Sequence, residues 1–215
     1  MASATGVVNA QEAPRAVDDA RSRGEDLPGV PEVPEYRCRD ELGIPASPLR
    51  CFEMLAELST YARWWTLVTV TSRGNTSRLS PGVRFDLAGA RPGAERVEWS
   101  VEVLEMEVPA RIELSYAGGE YLGRTAWEVA AEGEGSRVAY VYRGVRPNSP
   151  RAHAHFARWG TRLHSVAMRE DALKGLARVF GGPGAELDDG SWRRDVHRRV
   201  AGGIRALEPD AHRAG

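Results

Sequence analysis

Aromatic side chains that carry a polar atom recur at alternate positions in the second half of the sequence. In "EYLGRTAWEVAAEG", Tyr121 and Trp127 have the same parity. In "SRVAYVYRGV", Tyr140 and Tyr142 do as well. Side chains of equal parity lie on one face of a strand, and a phenol on such a face can orient a carbonyl or move a proton. The pattern predicts an inner face that binds an apolar small molecule and polarises it.

Two carboxylates stand among apolar residues. Glu170 falls in the apolar stripe of a helical pattern, and Asp40 has the parity of the apolar residues in the first predicted strand. Burial raises the pKa of a carboxyl group, which can then act as a general acid or base. The alternative is that Glu170 extends to solvent from the edge of the stripe or pairs with an arginine, and that Asp40 at the strand end meets solvent. The residues predicted to be catalytic are Tyr140, Tyr121 and Glu170.

The predicted ligand-binding residues share the inner faces of the strands or the apolar stripe of the last long helix. They are Trp65, Trp99, Tyr116, Trp127, Tyr142, Phe156, Trp159 and Leu163. The alternative is that most of these side chains are ordinary core and that only those at a cavity mouth contact ligand. His153 and His155 point in different directions on a helix, and His164 falls off the centre of the stripe. The spacing of Cys38 and Cys51 matches no zinc motif, so no metal site is predicted.

The elements that must position these side chains are strands followed by one long helix. Six segments with period-two alternation lie between residues 67 and 145, separated by Gly, Pro, Asn or charged residues. With "EYRCRDELGI" they predict seven antiparallel strands, because the links are too short for crossovers. Two short helices are expected after the first strand, where Ser47 suits the cap and Pro48 the first helical position. "NSPRAHAHF" then opens a long helix that closes at "FGGPG". The predicted fold class is α+β, a seven-stranded curved antiparallel sheet wrapped around a long C-terminal helix.

Two stretches carry a resemblance to a known family. "IPASPLRCFEMLAELSTYARWW" resembles the start of the START-like proteins, also called SRPBCC or polyketide cyclase/dehydratase-like, in which a strand, an Ala-Ser-Pro turn and a helix lead to a Tyr and Trp-Trp corner. "GRTAWEVAAEGEGSRVAYVYR" is similar to the strand pair of that family, with Ser136 where Thr is usual.

The resemblance covers residues 35–181 and implies the helix-grip fold. In that family the cavity between sheet and last helix takes lipids, sterols, plant hormones or aromatic polyketides. Some members are cyclases or dehydratases that need no cofactor, and many are binding or transport proteins. The resemblance therefore implies a hydrophobic ligand and no cofactor.

Three regions are predicted along the chain. Residues 1–34 form a disordered tail, residues 35–181 the START-like helix-grip domain, and residues 182–215 a C-terminal extension. In the extension, Trp192 and Val196 continue a four-residue apolar repeat beside several arginines, which is typical of a basic amphipathic helix. Such a helix docks on an acidic partner or a membrane surface; the alternatives are that it packs back on the domain or stays partly disordered.

Charge and hydropathy exclude several functions. The formal net charge is -1, and a nucleic-acid-binding domain is normally strongly basic. The start of the chain lacks the apolar core of a secretion signal, and no apolar run approaches the roughly 18 residues of a membrane span. A cytoplasmic protein without an integral membrane segment is expected, and a homodimer is left open.

The leading functional hypothesis is a cofactor-independent cyclase/dehydratase that acts on a hydrophobic, aromatic or polyketide-like small molecule. Its pocket would fold the substrate while a tyrosine or carboxyl group moves a proton. The alternative is a non-catalytic lipid or small-molecule carrier or sensor. A third hypothesis is an interaction module that acts through the arginine-rich extension.

Overall fold

The computed structural model describes residues 35–74, 76–89, 96–159 and 162–207 of the chain. The predicted tail, residues 1–34, lies outside the described residues. The statements below concern the described residues.

One sheet of seven antiparallel strands forms the body of the domain. The strands are β1 (Tyr36–Ile44), β2 (Val68–Ser72), β3 (Arg84–Gly89), β4 (Val97–Glu107), β5 (Arg111–Gly119), β6 (Tyr121–Glu132) and β7 (Gly135–Pro147). Their order is β1-β7-β6-β5-β4-β3-β2, so the first strand pairs with the last. Strands β2 to β7 form a meander, as the short links predict. The helix-grip fold class expected from the sequence is confirmed.

Alternation of side chains divides the sheet into an apolar inner face and a charged outer face. On β7, Val138, Tyr140 and Tyr142 are buried, and each is registered against an inner-face residue of β6. The outer face carries cross-strand ion pairs such as that between Arg73 and Asp86, whose nitrogen and oxygen atoms are 2.8 Å apart. Exposed pairs of this kind stabilise little individually. The inner face therefore supplies most of the burial that holds the fold together.

Helical segments lie beside the sheet, and those other than the last cover its inner face. They are α1 (Pro48–Ala56), a 3-10 turn (Leu58–Thr60), α2 (Tyr61–Trp64), α3 (Pro150–Trp159), α4 (Arg162–Ala167), a π-helical segment (Met168–Leu173), α5 (Lys174–Val179) and α6 (Asp189–Leu207). Ser149 caps α3, because its hydroxyl accepts a hydrogen bond of 3.0 Å from the amide of Ala152. Gly181, with a φ of 85°, ends α5 in the left-handed conformation that glycine adopts without strain.

The long helix of the domain consists of α4, the π-helical segment and α5, which follow one another over residues 162–179. Its π-helical segment changes which side of the helix faces inward. A regular helical period puts Glu170 in the apolar stripe, but the structure buries Asp171 completely and leaves Glu170 partly exposed. A π-turn inserts one extra residue per turn, so the inward face moves on by one position. Glu170 instead forms ion pairs with Lys174 at 2.6 Å and with Arg199 at 3.0 Å. Pairing with an arginine is the structural alternative considered from the sequence.

Helix α6 packs its apolar side against the domain. Trp192, Val196 and Val200 are buried with Leu67, which precedes β2. Gly203 allows the close approach, because a Cβ at this position would lie 2.7 Å from a methyl group of Val166 on α4. The opposite side of α6 exposes Arg193, Arg194, His197 and Arg198. The apolar side of α6 is thus buried against other parts of the same chain.

A second glycine fixes the contact between α2 and α5. A Cβ at Gly175 would lie 1.9 Å from the carbonyl oxygen of Trp64, so only glycine permits the two helices to meet at this distance. The contact holds the Trp64–Trp65 corner against the long helix. No helix in the described ranges combines the length and the apolar composition that crossing a bilayer requires.

We expect Gly175→Ala to lower the free energy of unfolding by roughly 1–3 kcal/mol, because the added methyl group has no space against a backbone carbonyl. Urea denaturation followed by tryptophan fluorescence measures the change. Gly202→Ala is the matched control, since a Cβ at this position would have no atom within 4 Å apart from its chain neighbours and the backbone of its own helix. The control should be neutral or stabilise α6 by up to about 1 kcal/mol. Equal effects of the two substitutions would contradict the close-contact assignment.

Candidate ligand-binding site

A cavity lies between the inner face of the sheet and the helical segments that follow β7. It is lined by Tyr36, Trp65, Leu67, Val68, Gly89, Val97, Trp99, Tyr116, Tyr121, Tyr142, Val145, His164, Ala167 and Met168. The cavity volume, measured as the space open to the centres of water molecules, is about 80 Å³. One water molecule needs roughly 10–15 Å³ on this measure. The described lining contains no Asp, Glu, Lys or Arg. The cavity therefore suits an uncharged molecule better than an ion.

The Trp64–Trp65 corner forms one wall of the cavity. The two indoles stack with centroids 5.8 Å apart and an interplanar angle of 17°. Both meet the ring of Trp127 edge-on, at 5.8 and 6.0 Å. Trp65 lines the cavity, whereas Trp64 and Trp127 lie behind it. Adjacent large side chains at this corner thus fill the core with one ring and shape the cavity with the other.

A buried carboxylate holds the same corner in place. Oδ1 of Asp171 accepts hydrogen bonds from the amide and the hydroxyl of Thr66, at 2.9 and 2.8 Å. Oδ2 accepts from the amide of Leu67 at 2.7 Å. Burial raises the pKa of Asp171 to about 6, although these hydrogen bonds act in the opposite direction. Because Leu67 lines the cavity and Trp65 directly precedes Thr66, Asp171 positions part of the cavity wall.

Three hydroxyl groups form a chain beneath the cavity. The hydroxyls of Tyr116 and Tyr140 are 2.8 Å apart, and Tyr140 donates to Oγ1 of Thr125 at 3.0 Å. Since Tyr140 has one proton to give, Tyr116 must be the donor in the first of these bonds. Burial raises the pKa of Tyr140 to about 12, so this phenol stays protonated at neutral pH. Tyr116 then presents only acceptor lone pairs to the cavity.

One imidazole stands in the cavity wall among phenols. The ring of His164 lies 5.1 Å from that of Tyr36 and 5.4 Å from that of Tyr121, both edge-on, with Tyr142 at 6.2 Å. An imidazole can take up and return a proton near neutral pH, and a phenol can donate a hydrogen bond to a carbonyl. The helical pattern placed His164 off the centre of the apolar stripe, so the sequence did not predict it as a cavity residue. The aromatic residues on the facing strands were the only signal that could have marked it.

The predicted site residues divide into three groups. Trp65, Trp99, Tyr116, Tyr121 and Tyr142 all line the cavity. Those that do not line it are Trp127 and Tyr140, which lie just behind the wall, and Glu170, whose carboxylate pairs with Lys174 and Arg199 on the other side of the helix. The side chains of Phe156, Trp159 and Leu163 lie outside the described residues. The structure thus brings together the strand residues of the prediction and separates Glu170 from them.

Asp40 is buried near the cavity. Its Oδ1 accepts a hydrogen bond from the hydroxyl of Ser165, and its Oδ2 has no hydrogen-bond partner among the described residues. Burial raises the pKa of this carboxyl group, opposed by Ser165 and by the charge of Arg169. Cys38, two residues earlier, has its pKa raised to about 11 by burial and by Asp40, so its thiol is protonated. Within the described ranges, no group of three or more His, Cys, Asp or Glu is placed to hold a metal ion.

Two wider grooves lie elsewhere on the surface. One runs between β1, the turn after β6 and the loop that joins α5 to α6, and contains Trp192, Glu134 and Glu186 in its wall. The other lies between α4 and α6, with Arg162 and Arg169 at its edge. Both are more open than the aromatic cavity and are edged by charged side chains. The aromatic cavity is the better candidate because it is less open than either groove and has no charged side chain in its described lining.

Comparison with known proteins identifies the fold. No protein-family model matches the chain, and no curated protein gives a significant match. Among solved structures, protein TTHA0849 from Thermus thermophilus is 18% identical and covers 78% of this chain and 98% of its own, with a TM-score of 0.50. Protein Ms6760 from Mycobacterium smegmatis is 13% identical and covers 69% of this chain and 94% of its own, also with a TM-score of 0.50. The likeness shows the fold alone. It is consistent with the helix-grip arrangement seen here.

The role of Asp171 generates a prediction about pH. Its folded-state pKa, about 6, lies above its ordinary value of 3.8, so the folded protein binds a proton that the unfolded chain has already lost between these values. The wild-type protein should therefore lose stability as pH rises from about 4 to 6, by an amount on the order of 1–3 kcal/mol from this group.

Asp171→Asn removes that titration, so the stability gap between wild type and variant should be larger at pH 4 than at pH 7. The variant should also lose roughly 1–3 kcal/mol at pH 7, because the side-chain nitrogen that replaces Oδ2 cannot accept from the backbone amide of Leu67. Thr66→Val is the matched control: it removes one donor and keeps the titratable carboxyl group of Asp171. A pH-independent gap, measured by urea denaturation, would contradict the assignment.

Proposed function

We propose that this protein binds a hydrophobic, ring-containing small molecule in the aromatic cavity between its sheet and its long helix. The observation that carries the proposal is the lining itself: tyrosine and tryptophan rings, aliphatic side chains and one imidazole, without a charged side chain in the described wall. Apolar and aromatic lining with few polar groups is typical of small-molecule sites. The resemblance of residues 35–181 to START-like proteins supports the same ligand class. In this proposal, α6 of the 182–215 extension braces the binding domain from outside.

A second candidate function is catalysis on that ligand, as a cofactor-independent cyclase/dehydratase. The observation that favours it is the position of His164 beside Tyr121 and Tyr142. In a dehydration, the imidazole would take a proton from the carbon next to a carbonyl. A phenol, Tyr121 in our assignment, would donate a hydrogen bond to that carbonyl. The hydroxyl on the neighbouring carbon would then leave as water with the proton returned by the imidazolium, and a double bond would form.

The other predicted catalytic residues take different parts in this proposal. Tyr140 acts through Tyr116, because its own hydroxyl is bonded to Tyr116 and Thr125 and does not reach the cavity. It is therefore a positioning residue. Glu170 points to Lys174 and Arg199, and the proposal gives it no step in the reaction.

Binding and turnover are separated by one experiment. The purified chain is incubated with a panel of poly-β-keto thioesters, phenols, aromatic ketones and fatty acids, and both bound and converted molecules are followed by mass spectrometry. We expect a ring compound to bind saturably and, if the protein is an enzyme, to lose water. Tight binding with the ligand returned unchanged would exclude catalysis and leave the carrier function. The absence of binding by every ring compound, with binding of fatty acids alone, would contradict the proposed ligand class.

Three variants assign the roles within a turnover reaction. His164→Ala should lower kcat by about 10²-fold or more while the ligand still binds, because the proton acceptor is lost. Tyr121→Phe should lower kcat with little change in affinity. Tyr140→Phe should change kcat less than Tyr121→Phe, since it acts at one remove, and should cost stability by leaving Thr125 unpaired. Equal kcat for His164→Ala and wild type would contradict the catalytic assignment.

A further inference from the structure

One position in the wall of the aromatic cavity has no side chain. Gly89, the last residue of β3, lines the cavity, and it has the parity of Phe85 and Leu87, which are buried on the inner face of the sheet. It is registered against Val68 of β2 on one side and Val97 of β4 on the other, and both valines also line the cavity. This row of the wall therefore has a gap between two valine side chains.

The backbone at Gly89 does not require glycine. Its φ is not positive. A Cβ at this position would lie 3.5 Å from two ring carbons of Trp99, an ordinary van der Waals distance, and would meet no other atom of the described residues within 4 Å apart from its chain neighbours. Gly119 differs, because its φ is 83° and a Cβ there would lie 2.4 Å from the carbonyl oxygen of Glu98. Alanine would thus fit at position 89 without displacing the backbone.

A strand glycine without a backbone reason needs another explanation. Glycine weakens a strand, because it loses more conformational entropy on folding than alanine and has no side chain to pack. It often marks a bulge, a bend, or a place where another backbone or a ligand approaches closely. The pairing of β3 with β2 and β4 shows no register shift at Gly89, and its Cβ position meets no backbone of the described residues beyond its chain neighbours. Close approach of a ligand is the explanation that fits a residue in a cavity wall.

The surroundings of the gap restrict the part of a ligand that can enter it. All seven strands contribute to the described lining, so the cavity extends across the concave face of the sheet. Neighbouring strands are about 4.8 Å apart, which makes the row from β2 to β4 about 10 Å wide. The gap is bordered by Val68, Val97 and the ring of Trp99, which in turn packs against Tyr121 with centroids 6.5 Å apart. A flat, apolar ring fits between the two valines and continues the aromatic part of the wall.

From these observations we infer that Gly89 is the size-determining residue of the site, and that the ligand is a planar molecule with fused rings whose apolar end lies against the backbone of Gly89. This inference rests on the proposed ligand-binding function and deepens it. A side chain at position 89 would occupy the space of the second ring. A molecule with one ring binds in the aromatic part of the cavity and does not need this space.

Two aromatic ketones test the inference by size. Acetophenone has one ring, and 2-acetonaphthone adds a second fused ring to the same carbonyl group. The affinity for 2-acetonaphthone should fall at least about five-fold in Gly89→Ala and further in Gly89→Val, because the added methyl groups compete with the second ring for space. The affinity for acetophenone should change less than about two-fold in Gly89→Ala, since its single ring does not reach position 89.

Gly118→Ala is the matched control. Gly118 is a strand glycine without a positive φ, registered against Ser100, and it is absent from the described lining of the cavity. A Cβ there would lie 3.9 Å from the Cβ of Ser100, so alanine fits and should change neither affinity. Both alanine variants should unfold in urea at midpoints no lower than that of the wild type, because alanine replaces glycine in a strand. Gly89→Ala decides the test if Gly89→Val does not fold.

The outcomes separate this inference from the proposed function. Equal affinity of 2-acetonaphthone for the wild type and Gly89→Ala would overturn the inference, and so would equal losses for the two ketones. If acetophenone binds the wild-type chain and 2-acetonaphthone does not, the inference fails and the proposed function stands. If no ring compound binds, the proposed function itself fails. A crystal structure with bound 2-acetonaphthone should place a ring carbon within about 4 Å of the Cα of Gly89, and a ring bound away from this position would also overturn the inference.

Discussion

The buried carboxylate of Asp171 joins the long helix to the turn that carries Thr66 and Leu67, and both elements contribute to the wall of the aromatic cavity. It accepts three hydrogen bonds from Thr66 and Leu67, at the point where the chain turns from α2 into β2. That turn belongs neither to a helix nor to the sheet, so its two backbone amides depend on a side chain for their acceptors. The position of Trp65, Leu67 and the start of β2 therefore depends on a single residue from a distant part of the sequence.

The neighbouring contacts reinforce the same junction. Gly175 lets α5 approach the carbonyl of Trp64, and Leu67 reaches outward to the apolar residues of α6. Arg199 of α6 in turn donates to the carbonyl of Glu170 at 2.9 Å, beside Asp171. Leu67 thus contributes both to the wall of the cavity and to the cluster that seats α6. The C-terminal helix is connected by direct packing to the place where a ligand would bind.

The chemistry open to the cavity follows from what the fold leaves inside it. Aromatic packing supplies shape and apolar area, whereas the polar groups of the described lining belong to tyrosines, one histidine and two tryptophans. The hydroxyl chain from Tyr116 to Thr125 fixes one phenol as an acceptor. Such a site can orient a neutral oxygen and move one proton. It is less suited to binding a permanent charge.

The sequence predicted the strands well because the physical signal is strong and local. Alternation of buried and exposed residues in segments such as β6 and β7 requires no knowledge of distant contacts. The same alternation predicted which side chains lie on the inner faces of the strands, including the cavity residues Trp99, Tyr116 and Tyr121. Here the prediction used a property that each strand carries by itself.

The long helix was predicted less well because its face depends on a tertiary event. A uniform helical period assigned Glu170 to the interior, but the π-helical segment puts Asp171 there. Asp171 accepts hydrogen bonds from Thr66 and Leu67, which lie 105 and 104 positions away in sequence. No local sequence pattern predicts such a contact. The sequence prediction missed His164 for a related reason, because its place in the cavity wall is defined by ring contacts with tyrosines of distant strands.

The most direct test of this account is a crystal structure of the chain soaked with acetophenone. The account predicts density for the phenyl ring against Trp65 and Tyr121 in the aromatic cavity, with the Thr66–Leu67 turn still bonded to Asp171. Density confined to the groove beside Trp192, with the aromatic cavity unchanged at saturating ligand, would contradict it.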